Sequence, residues 1–178
     1  KQENIFSKDL ISKLESIGKF TNEQLAFNNN YGNTIVPFST KSIANDEIEL
    51  YREGFYYGVS AKFEHILANL DVSRKDKLEA INKAFKNNSV VFIHGASGQG
   101  KSTLAYRYIN DFTSNKTSYE LKISQNLKEV YETINSLDAI SKGLDFPILL
   151  YIDIKPQDIY WNEILKELYG RRNLRFLI

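Results

Sequence analysis

The sequence predicts an α/β fold: a parallel sheet covered by helices on both faces, preceded by a mainly helical segment. Three observations carry that expectation. Two apolar runs of strand length, Ser89–His94 and Ile148–Asp153, lack the in–out alternation of a half-exposed strand and read as strands buried on both faces. Between and after them lie stretches with apolar residues three and four apart, the helical period. Strands and helices alternate at spacings that suit parallel crossovers.

The elements follow in order. Ser7 caps a helix to about Ile17, stopped by Gly18, and a short helical stretch covers Asn22–Asn28. Asn28–Asn33 and Pro37 read as loop. From about Asp46 to Leu70 one helical stripe runs through Tyr51, Phe55, Val59, Phe63, Ile66 and Leu70. Gly54 and Gly58 inside it imply close packing or a kink, and Tyr51, Phe55, Tyr56 and Tyr57 imply an interdomain or oligomer contact. Residues 1–69 are thus a mainly helical segment or linker, and 70–178 an α/β domain. In the second part Ser73 caps a helix from Arg74 to about Lys86, and Ser89–His94 is the first strand. A helix from Lys101 to about Phe112, a strand Ser118–Ile123 and a long helix Leu127–Leu144 come next. Ile148–Asp153, a helix Trp161–Tyr169 and a last strand Leu174–Ile178 complete the order.

Composition bounds the functional classes. The chain has 178 residues, 42% hydrophobic and 25% charged, enough for one core and an appendage. It has no cysteine, which excludes disulfides, thiolate metal sites and thiol nucleophiles. A net charge of +1 gives no indication of a nucleic-acid partner. No run reaches the roughly 18 apolar residues of a membrane span and no charged-then-apolar leader opens the chain, so no membrane partner and a cytoplasmic location are expected. The chain begins at Lys1 and contains no methionine, so a longer parent chain is expected.

The chemistry concentrates at Gly95-Ala96-Ser97-Gly98-Gln99-Gly100-Lys101-Ser102-Thr103, which fits G-x-x-x-x-G-K-[ST] between a buried strand and a helix. Polyphosphate is held mainly by main-chain N–H groups, so the loop needs small residues that let the backbone approach. The following helix adds its unpaired N–H groups and positive dipole end. Lys101 is expected to reach the β- and γ-phosphates, Ser102 to place its hydroxyl on Mg²⁺, and Thr103 to contact the α-phosphate of ATP or GTP. Asp153, at the end of an apolar strand, is the expected second metal ligand and, with Lys101, the catalytic pair. The position after it is Ile154, where a vigorous ATPase usually carries a second acid; binding or slow hydrolysis is expected over fast turnover. Asp158, His94 and His65 read as turn, solvated and structural residues. Arg171, Arg172 and Arg175 read as a solvated basic loop, with an arginine finger toward a neighbouring subunit as the alternative.

Asp71–Asp76, a helix, then Val90–Ala105 with the glycine-rich motif resemble the start of a STAND-type signal-transduction P-loop NTPase, a relative of AAA, NACHT and NB-ARC domains. The resemblance covers residues 70–178. It implies a three-layer sheet, incomplete at its C-terminal side, with the last strand between the first and third. It implies that Val72, Ser73 and Arg74 lie against the adenine, with Ser73 where the family usually has glycine. It further implies a nucleotide switch controlling self-oligomerisation and effector activation, for a bacterial member in antiviral defence, with further domains in a longer chain. Two other classes stay open on the residues alone: a small-molecule or nucleotide kinase, and a non-catalytic nucleotide-binding interaction module.

Overall fold

The computed structural model describes residues 32–38, 43–113, 117–123, 126–155 and 158–178. The helices expected at 7–17 and 22–28 lie outside these residues. The described part is an α/β fold with one mixed five-stranded sheet and six helices. Strands are β1 (Ile35–Pro37), β2 (Val90–Val91), β3 (Ser118–Leu121), β4 (Ile148–Tyr151) and β5 (Leu174–Leu177). Helices are α1 (Asn45–Tyr56), α2 (Phe63–Leu67), α3 (Lys75–Ala84), α4 (Lys101–Phe112), α5 (Leu127–Leu144) and α6 (Trp161–Leu168).

The strand order is β1-β3-β4-β5-β2. Four strands are parallel, and β5 lies between β2 and β4, where the last strand was expected. The wholly parallel sheet is corrected by β1, which pairs antiparallel with β3 through Ile35–Leu121 and Pro37–Tyr119. Pro37 lacks an N–H, which suits it to such an edge strand.

Alternation along the strands builds two cores. Leu149, Tyr151 and Leu177 face one way, against Leu78 and Ile81 of α3, Leu104, Tyr108 and Ile109 of α4, and Phe63 and Ile66 of α2. Ile148, Leu150, Leu174 and Phe176 face the other way, against Val130 and Ile134 of α5 and Ile164 and Leu168 of α6. Period-two side-chain direction in the strands thus puts helices on both faces, giving three layers.

Three local expectations change. The single helix over 46–70 is broken: α1 ends at Tyr56, Gly58 takes a φ of 85°, and α2 starts again at Phe63. A positive φ is cheap only for glycine, so the chain turns there instead of continuing. Ser73 is not a helix cap; α3 begins after Arg74 with no side-chain capping bond. The first strand is shorter than the apolar run and sits at the sheet edge, so Phe92 is 52% exposed rather than buried on both faces.

Candidate functional site

Parallel strands present their C-terminal ends to one side of the sheet, so the segments that follow β2 and β4 meet there beside the end of β5. The segment after β2 turns through Gly95–Gly100 into α4. Gly98 and Gly100 have φ of 77° and 68°, conformations a side chain would strain. A Cβ on Gly100 would also stand 3.3 Å from the Arg74 guanidinium. That guanidinium donates to the carbonyls of Gln99, at 3.1 Å, and Gly100. Within the turn Gln99 Oε1 accepts from the Ala96 N–H at 3.1 Å, and Lys101 Nζ donates to the Ala96 carbonyl at 2.9 Å. With its carbonyls held by Arg74, the turn leads directly into the first-turn N–H groups of α4, which have no carbonyl a turn before them.

A cavity of about 260 Å³ opens beside this turn. Lys101 and Ser102 line it from α4, Tyr151 and Asp153 from β4 and the residues after it. Its other wall is apolar, with Phe92, Ile154, Trp161 and Ile178. The Tyr151 side chain hydrogen-bonds Ser102; burial raises the phenol pKa well above its ordinary value, an effect the Ser102 bond partly offsets. Tyr151 therefore stays neutral beside Ser102 on the cavity wall. Its ring meets that of Tyr106 edge-on at 5.2 Å. The Tyr106 phenol is likewise raised, first by burial and then by Tyr151, Glu120 and Asp153.

The structure brings Lys101, Ser102 and Asp153 onto one cavity and ties Arg74 to the turn that precedes them. Gly95, Ala96, Ser97, Gly98, Gln99 and Gly100 form the turn itself, and Thr103 lies in the first turn of α4. Val72 is 84% exposed, and neither it nor Ser73 lines the cavity. Asp158 accepts from the Lys155 N–H at 2.7 Å, a turn contact as expected. Arg171 is not a solvated loop residue: its side chain is 14% exposed and pairs with Asp138 and Glu167.

Sequence reasoning missed Tyr151, Phe92 and Trp161 as lining residues, and Glu120 as a charged neighbour outside the lining. Phe92 and Trp161 supply the apolar wall, and nothing in their local pattern separates them from core residues. Glu120 sits on β3 opposite Tyr151 of β4. Its carboxyl pKa is raised, chiefly by burial and further by Asp153, against the opposing effect of Lys122. Its only sequence signal was an acid inside an apolar strand.

No protein-family model matches the chain, and neither a curated protein sequence nor a solved structure does so. Among the described residues no helix is long and apolar enough to cross a membrane.

Proposed function

We propose that Gly95–Thr103 grips the polyphosphate of ATP or GTP, with Mg²⁺ held by Ser102 and Asp153, as the nucleotide-binding part of a STAND-type P-loop switch. In that reading nucleotide binding controls self-association and effector activation, in bacterial antiviral defence. One observation carries it: a glycine-dependent turn between a strand and a helix, whose Lys101 and Ser102 share a cavity with Asp153, just past the end of the next-but-one strand. The donor set suits the ligand. A hydroxyl and a carboxylate are hard oxygen donors of the kind Mg²⁺ takes together with phosphate oxygens. Lys101 adds a point positive charge, and the start of α4 adds unpaired N–H groups aimed the same way.

When bound, the nucleotide supplies a transferable γ-phosphoryl group. This chain's residues bind and orient it: Arg74 fixes the turn, Tyr151 holds the Ser102 hydroxyl in place, and the apolar wall excludes water on one side. The residue after Asp153 is the partly buried Ile154, which packs into the core beneath α5 and α6. That placement supports a grip with slow turnover over a fast hydrolase.

Calorimetric titration with ATP, with and without Mg²⁺, tests the reading. Lys101→Ala is expected to weaken ATP on the order of thirtyfold or more, the effect of removing one member of a desolvated charge pair. Asp153→Ala is expected to weaken it only when Mg²⁺ is present. ATP affinity indifferent to Lys101 would sink the proposal. Light scattering with and without nucleotide tests the switch: assembly that persists unchanged in Lys101→Ala counts against it.

A further inference from the structure

The opposite ends of the same strands carry a second cavity, of about 370 Å³, between the α3–β2 turn and the α6–β5 turn. Its walls hold four cations, Lys86, Arg171, Arg172 and Arg175, and no carboxylate. Asn87 and Ser89 add neutral polar side chains to the lining, while Asn88 Nδ2 donates to the Ala84 carbonyl at 2.9 Å. Arg171 is already compensated, with Asp138 3.5 Å and Glu167 3.5 Å away. The Arg175 guanidinium lies over the Phe85 ring, 5.9 Å from its centroid, which fixes its direction without neutralising it. Arg172, Arg175 and Lys86 have no ion-pair partner among the described residues. Three like charges around one concavity repel each other unless an anion joins them.

We propose that this cavity is a phosphate-binding site, separate from the Gly95–Thr103 turn, in which Arg172 and Arg175 take a phosphate group and Lys86 adds charge. Arginine's planar fork matches phosphate oxygens in pairs, and a ring-supported guanidinium is held ready for such contact. The cavity has room for two linked phosphates. It lies at the N-terminal ends of β2 and β5, whereas Asp153 follows the C-terminal end of β4. Its ligand is therefore not the nucleotide of the first cavity. The source is either a small free phosphate compound or the phosphodiester backbone of a single strand.

Two probes separate these sources: inorganic pyrophosphate by calorimetry, and a short fluorescein-labelled oligothymidylate by anisotropy. Both are measured at low salt in the Lys101→Ala background, which disables the other phosphate site, and in the unaltered protein. Binding of either probe is expected, weakened about tenfold or more by R172Q/R175Q and only partly restored by R172K/R175K, which returns the charge without the planar fork. Pyrophosphate alone identifies a free phosphate ligand. Binding of the oligonucleotide, with an affinity that falls steeply with added salt, identifies a strand. Exposed Arg172→Gln alone gives the same direction without threatening the fold. Failure of both probes to bind below millimolar concentration, or affinities indifferent to Arg172 and Arg175, overturns the proposal. Neither outcome depends on whether ATP binds at Lys101.

Discussion

Arg74 reaches across 25 and 26 residues of sequence to hold the carbonyls of Gln99 and Gly100. It was expected against the adenine on resemblance, and its observed partners are main-chain atoms. Such contacts leave no sequence signature, because any residue supplies a carbonyl. The glycines are the opposite case: the φ of 77° at Gly98 and 68° at Gly100 is what their residue type announces. The same local legibility gave Lys101 and Ser102 from spacing and Asp153 from its place after an apolar strand. Arg74→Ala is predicted to weaken ATP binding about tenfold, because the turn loses two charge-assisted hydrogen bonds that hold its shape. The thermal midpoint should move little, since Arg74 is only half-buried at the surface. Gly100→Ala should do both, adding about 1–2 kcal/mol of backbone strain. Titration calorimetry and melting curves on the two variants check this; unaltered ATP affinity in Arg74→Ala would detach Arg74 from the site.

At the scale of elements, α4 and α5 have the bounds that periodicity gave, while the stretch 46–70 does not. Its aromatic residues keep helical spacing across the break, so the pattern reads as continuous although Gly58 interrupts it. The restart at α2 depends on a histidine. The Lys62 N–H donates to His65 Nδ1 at 3.1 Å, which requires an unprotonated nitrogen there. Phe55 of α1 meets the His65 ring edge-on at 4.9 Å, and Tyr51 does so at 5.9 Å. Burial lowers the imidazole pKa from its ordinary value, Lys62 adds to the shift, and Glu64 partly opposes it. A base whose folded pKa is depressed stabilises the fold above its unfolded pKa, near 6.5, and that stability is lost as pH falls below it. Lowering the pH from about 7.5 to 5.5 is therefore predicted to loosen α1 from α2, with loss of the capping bond costing on the order of 1 kcal/mol. His65→Asn keeps an acceptor and should flatten the pH dependence. Urea unfolding of both proteins at the two pH values measures it; equal slopes with pH would refute the role of His65.

Across the whole molecule, the packing runs over the point near residue 70 where the sequence changes character. β1 adds to the sheet edge, and Phe38 and Phe63 pack at 4.8 Å, both against Tyr106 of α4. A three-residue strand containing proline, and rings far apart in sequence, give no local periodicity, which is why this connection was not legible. Its polar centre is Arg107 of α4. Arg107 Nε donates to Asp71 at 3.1 Å, and another nitrogen pairs with the second Asp71 oxygen, with Asn69 Oδ1 at 3.2 Å and with the Ile66 carbonyl at 3.4 Å. The Asp71 side chain is 2% exposed, so it relies on that guanidinium. Arg107→Ala is predicted to cost about 3–5 kcal/mol, since it leaves a buried carboxylate unpaired. An apolar pair in the same space, Arg107→Met with Asp71→Leu, should recover much of the loss, because neither partner then needs solvation. Trp161, the sole tryptophan, sits on α6 on the far face of the sheet. If the helices before residue 70 and the sheet unfold as one unit, its fluorescence and the far-ultraviolet dichroism shift together in Arg107→Ala. A Trp161 transition that stays in place while helical signal is lost early would mean that Arg107 fastens a separable part, and would refute the single-unit prediction.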